Sequence, residues 1–279
     1  MNNNRTYLLN THIEIITPDL SQLAPRRVVF DFDGTISLIR EGWQEEMISL
    51  MVDMLRATPQ AEDETTLFHL ITGYVARSTG QHTIQQMKHL GQQVRRRGGR
   101  PKPAAAYKQD YLELLHRRVD GRKTKLKSGQ VDRADLTVPG ALDLLAALHH
   151  HGLSCTLASG TDEVFVIEEA ILLGVAHYFD GGIYGARDDG QAISKKMVIE
   201  KILSTKRLNG SELLVIGDGS DEIIHAAAAG CIAVGVASNE AERQGINEFK
   251  RQQLIEAGAN LIIPDFREYH ILLQYLHVC

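Results

Sequence analysis

Residues 28–35 read Val28-Val29-Phe30-Asp31-Phe32-Asp33-Gly34-Thr35, an apolar run that stops abruptly at two aspartates spaced i and i+2. The run predicts a strand over Val28–Phe32. Period-two alternation in such a strand turns both carboxylates to one side and Phe32 to the other. Gly34-Thr35 then supplies a turn. Two acids crowded at a strand end repel one another, and a hard cation such as Mg²⁺ is the usual offset.

Outward from this strand the periodicity changes twice. Upstream, His12-Ile13-Glu14-Ile15-Ile16 alternates and predicts an edge strand within an otherwise polar lead. Downstream, from about Gly42 to Arg122, apolar residues recur at steps of three and four. Helices are predicted from Trp43 onward, over Glu64–Arg77, over Thr83–Arg97 and over Ala104–Val119, with Gly98-Gly99-Arg100-Pro101 as the break before the last. After Pro139-Gly140, helices alternate with short apolar runs at Leu153–Ala158, Gly182–Tyr184, Leu213–Ile216, Ile232–Val236 and Leu261–Ile263. Such alternation predicts a parallel α/β sheet with right-handed crossovers, whose chemistry gathers at the carboxyl ends of the strands.

Two of those ends carry reactive residues. The run Leu153–Ala158 leads into Ser159-Gly160-Thr161-Asp162. A hydroxyl beside a helix N-terminus can bind a phosphate oxygen, whereas Thr161 or Asp162 could equally cap the next helix. The run Leu213–Ile216 leads into Gly217-Asp218-Gly219-Ser220-Asp221-Glu222. A helix start accounts for Asp221 and Glu222, but less well for Asp218. Between the two, Lys195 and Lys196 open a helix.

These four elements, in this order, resemble the motifs of the haloacid dehalogenase superfamily. Asp31-Phe32-Asp33-Gly34-Thr35-Ile36 is similar to its first motif, Ser159-Gly160 to its second and Gly217-Asp218 with the following acids to its fourth. A lysine forms its third; Lys195 is favoured, with Lys196 as the alternative. The resemblance implies a Rossmann-like α/β parallel-sheet core with an all-helical cap inserted between the first and second motifs, as in phosphoglycolate phosphatase-like members. On that reading residues 1–39 and 136–279 form the core and residues 40–135 the cap. It also implies a Mg²⁺-dependent phosphatase. Asp31 is the expected nucleophile and Asp33 the expected acid and base. Gly34, Thr35, Ser159, Gly160 and Lys195 are expected around the phosphoryl group. Mg²⁺ is expected on Asp31, the backbone of Asp33 and Asp218, with Asp221 and Glu222 behind. An aspartate at 33 favours phosphoryl transfer over dehalogenation, because an alcohol leaving group needs a proton. The expected substrate is a small phosphorylated metabolite such as a sugar phosphate. The alternatives are a phosphomutase of the same fold and a protein that binds a phosphorylated ligand without turnover. Ile36-Ser37-Leu38-Ile39 carries no early acid, a departure that counts against phosphoglycolate and against mutase activity. Arg40, Glu41 and Trp43 are weak candidates for leaving-group contacts.

Composition sets the outer bounds. The chain has 279 residues, 43% apolar and 23% charged, with a net charge of −5, an ordinary globular balance. Cys155, Cys231 and Cys279 lack metal spacing, and two of them lie in apolar runs, which suits reduced thiols in a cytoplasmic protein. No apolar run reaches the roughly 18 residues of a spanning helix, and the first residues lack the apolar stretch of a signal peptide. From Lys88 to Arg133 there are fourteen Lys or Arg against four Asp or Glu. A solvated helical face and basic loop explain this better than nucleic-acid binding. His149-His150-His151 ends a helix and is not read as a metal site, since adjacent helical residues point apart. A monomer or homodimer is expected.

Overall fold

The structure is a computed structural model and describes residues 5–18, 24–187 and 194–278. Residues 1–4 of the polar lead, and Cys279, lie outside the described residues. The strands are β1 (Thr6–Tyr7), β2 (Glu14–Ile15), β3 (Arg27–Phe30), β4 (Ser154–Asp162), β5 (Ile183–Ala186), β6 (Leu213–Gly217), β7 (Ile232–Val236) and β8 (Leu261–Ile263). They form one sheet in the order β1-β2-β8-β7-β6-β3-β4-β5. Strands β3 to β8 pair in parallel, and β2 and β1 add antiparallel at the β8 edge. The edge strand expected over His12–Ile16 shortens to β2, where buried Glu14 receives both arms of Arg251 at 2.6 and 2.5 Å.

The central strand is β3, between β4 and β6. Val28 and Phe30 enter one core cluster and Val29 enters the cluster on the other side. A strand buried on both faces needs an unbroken apolar run, which is what residues 28–30 supply. The strand begins one residue before the Val28–Phe32 expectation and ends two residues before its end. The amide of Asp31 still donates to the Ile216 carbonyl at 2.9 Å, but the Phe32 carbonyl accepts from Ile36 and Ser37 at 2.8 and 2.9 Å. The chain has turned by Phe32, so the aspartates lie just beyond the strand.

Between β3 and β4 the chain forms four helices, α1 (Trp43–Arg56), α2 (Glu64–Arg77), α3 (Thr83–Arg96) and α4 (Ala104–Lys127). In α1, Met47, Leu50, Met51 and Leu55 make the buried stripe of an amphipathic helix. The Asp63 side chain caps α2 by accepting from the Thr66 amide at 3.0 Å. Helix α4 runs well beyond the expected end at Val119. Part of its basic end is tied down: Arg122 donates to the carbonyls of Ile39 and Glu41, and Lys123 bonds Glu168 at 2.6 Å, while Lys125 and Lys127 stay exposed. Partners distant in sequence thus override the weak local signal. The two linkers of this helical cap run side by side, with Leu38 N donating to Leu136 O at 2.8 Å and Val138 N to Ile36 O at 3.0 Å.

The remaining helices are α5 (Ala141–His150), α6 (Glu163–Leu172), α7 (Lys195–Lys206), α8 (Ser220–Ala228), α9 (Glu248–Glu256) and α10 (Tyr269–Tyr275). No helix of the described residues is long and apolar enough to cross a membrane. Parallel pairing brings the carboxyl ends of β3, β4 and β6 together beneath the cap.

Candidate active site

Asp31 leaves the end of β3 buried, 5% exposed. Lys195, at the start of α7, puts its Nζ 2.8 Å from Asp31 Oδ1 and 2.7 Å from Glu222 Oε2. Ser194 caps that helix by accepting from the Met197 amide, which fixes the first turn and aims Lys195 inward. Lys196 instead reaches toward Glu200 at 3.8 Å with its side chain 58% exposed. Glu222 is held from a second side, its Oε1 accepting from the Gly219 amide at 2.7 Å. Asp218, at the end of β6, packs against the Gly34 turn. Gly34 has φ +76°, and a Cβ there would lie 2.2 Å from Asp218 Oδ2. Only glycine therefore suits both the left-handed backbone and the close approach. Thr35 is buried and its hydroxyl lies 3.4 Å from Asp218 Oδ1.

A second lysine stands in this cluster that sequence reading did not single out. Lys250, from α9, puts its Nζ 2.6 Å from Asp218 Oδ2 and 2.6 Å from Glu240 Oε1. Three buried carboxylates, Asp31, Asp218 and Glu222, and the largely covered Glu240 thus face two ammonium groups. Burial raises the carboxyls of Asp31, Glu222 and Glu240 above their ordinary range, only partly opposed by the lysines. Burial also works against the charge of Lys195 and of Lys250, but their paired carboxylates outweigh it and hold both protonated. With all four carboxylates ionised the cluster is short of two positive charges, so their mutual repulsion adds to the burial that raises Asp31, Glu222 and Glu240. Oxygens of Asp31, Asp218 and Glu222 lie within 4.8 Å of one another. An all-oxygen set with that charge deficit fits a hard divalent cation. Asp221 stands apart from this trio, 3.6 Å from His225 one turn along α8.

Asp33 faces away from the trio. Its Oδ2 accepts from the Thr161 hydroxyl at 2.8 Å, while Oδ1 is buried with no hydrogen-bond partner among the described residues. Burial pushes its carboxyl up to about 6, opposed by the Arg40 guanidinium, whose Nε lies 3.9 Å from Oδ1. Arg40 is committed elsewhere, making two bonds of 3.1 and 2.7 Å to the fully buried Glu169.

The residues 159–162 lie within the irregular end of β4 rather than after it, with a register shift between Ala158 and Asp162. Their side chains do not cap α6. The Thr161 hydroxyl goes to Asp33, and Asp162 binds Lys108 at 2.7 Å. Ser159 is buried and its Oγ accepts from the Thr161 amide at 3.1 Å. Gly160 meets the cap: a Cβ there would lie 2.6 Å from the Gln81 carbonyl. The loop between α2 and α3 therefore sits directly over the strand ends. Beneath it is a cavity of about 50 Å³, lined by Asp31, Asp33, Ser159, Gly160 and Thr161 from the core and by Trp43, Gln81 and Tyr111 from the cap.

The fold brings Asp31, Asp33, Gly34, Thr35, Ser159, Gly160, Lys195, Asp218 and Glu222 into one site. Sequence reading missed Thr161, Glu169, Glu240 and Lys250 and rated Arg40 only weakly. Nothing local marks Lys250, a lysine on a polar helix 32 residues from its partner Asp218.

A buried aspartate at the end of a central parallel strand, salt-bridged to lysine under a helical lid, is an enzyme-like arrangement. The chain belongs to the haloacid dehalogenase-like hydrolases, whose family profile matches residues 25–230. Solved structures share the fold. The crystal structure of a predicted phosphatase from Clostridium acetobutylicum aligns with TM-score 0.58 and 20% identity over 90% of this chain and 100% of that one. A beta-phosphoglucomutase from Clostridium difficile gives TM-score 0.61 and 14% identity over 91% and 98%. A hydrolase of the family from Deinococcus radiodurans, with bound phosphate and sodium, gives 0.53 and 18% over 91% and 97%. Comparison with curated proteins gives no significant match.

Proposed function

We propose that this protein is a Mg²⁺-dependent phosphatase that hydrolyses a small phosphorylated metabolite through an aspartyl-phosphate. The observation that carries the reading is the pairing of Asp31 with Lys195 at 2.8 Å, beside an Asp33 whose Oδ1 has no hydrogen-bond partner among the described residues and whose carboxyl is raised to about 6. The Lys195 ammonium favours the ionised, nucleophilic form of Asp31 against the burial that raises its carboxyl, and the raised Asp33 carboxyl suits a proton donor working near neutral pH.

Mg²⁺ would be held by the Asp31 carboxylate, the Asp33 carbonyl and Asp218, with Glu222 behind, and would neutralise phosphoryl charge. Asp31 attacks phosphorus while Asp33 protonates the departing alkoxide; the P–O bond to the alcohol breaks as the bond to Asp31 forms. Asp33, now ionised, takes a proton from the water that then attacks phosphorus and frees Asp31 and phosphate. Lys195, Ser159 and the amides around Gly160, Gly34 and Thr35 hold the phosphoryl oxygens. We set the cap at residues 40–135, hinged on the paired linkers at residues 36–38 and 136–138. The cavity of about 50 Å³ has room for a few waters, so a substrate enters when the cap swings away. Buried free thiols at Cys155 and Cys231 suit a cytoplasmic setting.

The test is release of phosphate from a panel of phosphate monoesters, with and without Mg²⁺, by wild type and Asp31→Asn. Mg²⁺-dependent release that the substitution abolishes supports the reading. Isomerised substrate without free phosphate would replace it with a mutase, and binding without turnover would replace it with a ligand-binding role.

A further inference from the structure

We infer that the alcohol released from the ester carries no charge of its own, so that the substrate is the monophosphate of a sugar or other polyol. This rests on the phosphatase reading and adds the class of leaving group.

The charges lining the cavity carry this inference. Its lining holds the carboxyl groups of Asp31, Asp33 and Asp162 and, among the described residues, one cation, Arg40. Arg40 is already neutralised by the bidentate bond to Glu169 and stacks over the Phe165 ring at 5.3 Å. The nearest lysines are also engaged: Lys108 holds Asp162 at 2.7 Å, and Lys123 holds Glu168 at 2.6 Å and lies 3.7 Å from Glu169. At the phosphoryl end, Lys195 lies between Asp31 and Glu222.

A carboxylate or second phosphate on the leaving group would have to take Arg40 from Glu169. That would strand a fully buried glutamate with one lysine at 3.7 Å, an unfavourable exchange because a buried charge stripped of its partner is costly. It would also bring a new anion toward the Asp162 carboxylate. An uncharged polyol meets no such conflict. Trp43, Met47 and Phe165 offer apolar surface to its C–H faces, while Thr79, Gln81 and Thr83 in the cap offer neutral groups to its hydroxyls. The same inventory argues against a mutase that must carry a bisphosphate.

The test compares kcat/KM for phosphate release, with Mg²⁺ and the full chain, across matched pairs. One pair is glycerol phosphate and phosphoglycolate; another is a hexose monophosphate and the corresponding bisphosphate. p-Nitrophenyl phosphate, whose leaving group makes no demand on the cap, reports the chemistry alone. The uncharged members should exceed the anionic ones by on the order of 100-fold. Anionic members hydrolysed as well as or better than their partners would overturn the inference while leaving the phosphatase reading intact. No release even from p-nitrophenyl phosphate would overturn the phosphatase reading, and the inference with it. Glu169→Gln frees the Arg40 charge and should move the ratio about tenfold toward the anionic esters. An unchanged ratio in a variant that still unfolds cooperatively would remove Arg40 from the argument and count against the inference. Where that variant does not fold, the wild-type panel decides.

Discussion

Replacing Asp33 by asparagine should cost activity and raise stability together. The Asp33 carboxyl is pushed from its ordinary 3.8 up to about 6, chiefly by burial. An acid raised in this way binds more protons in the native than in the unfolded chain between those two values. The stability it lends is therefore full below 3.8 and lost as pH rises through 6. At about 1.4 kcal/mol per pH unit this interval amounts to about 3 kcal/mol against the native state at pH 7.5. Asparagine removes that term. Its Oδ1 can accept from Thr161 as Asp33 does now, but its amide N–H then faces Arg40 without a partner, at a cost of about 1 kcal/mol. The net expectation is about 2 kcal/mol of added stability at pH 7.5, or about 4–8 °C in Tm. At pH 4 the gain should vanish or turn to a slight loss. The assay is thermal or urea unfolding of wild type and Asp33→Asn in chelator at both pH values. Turnover of an alkyl phosphate should meanwhile fall by about 10²–10⁴-fold. A variant no more stable than wild type at pH 7.5, or a difference that does not change with pH, would refute the reasoning.

Three further outcomes follow from the same geometry. Lys250→Met leaves Asp218 and Glu240 facing each other without their shared cation, and should destabilise the metal-free protein by about 3–5 kcal/mol in urea unfolding, with part of the loss recovered in saturating Mg²⁺. Lys195→Ala should lower kcat/KM by at least about 100-fold, while Lys196→Ala, which loses only a solvent-exposed contact, should stay within about twofold. Gly160→Ala puts a methyl 2.6 Å from the Gln81 carbonyl; it should prop the cap open and raise KM for a sugar phosphate about tenfold or more in steady-state kinetics.

Much of the fold was legible because its signals are local. The apolar run at Val28–Phe30, the alternation after Pro139 and the helical periods of the cap each report on their own neighbourhood, and the family match bears out the resemblance read from residues 31–36, 159–160 and 217–222. What escaped depends on contacts between distant residues. The extension of α4 to Lys127 is held by Ile39, Glu41 and Glu168, none adjacent in sequence. Glu169 looks like one more acid on a surface helix until Arg40 is seen against it. The Ser159–Asp162 segment left capping and phosphate binding open, and the directions of the Thr161 and Asp162 side chains exclude the cap. The two lysines at 195 and 196 look alike in sequence, and helix phase alone turns one inward.

The central claim is that Asp31 carries the phosphoryl group, and borohydride trapping tests it most directly. Asp33→Asn, which should slow release of the intermediate, is mixed with p-nitrophenyl phosphate and Mg²⁺, quenched in acid, reduced and digested for mass spectrometry. The account predicts homoserine at position 31, dependent on both substrate and Mg²⁺, with no other carboxylate reduced. Reduction at a different residue, or nitrophenol release at wild-type rate with Asp31 unmodified, would contradict it.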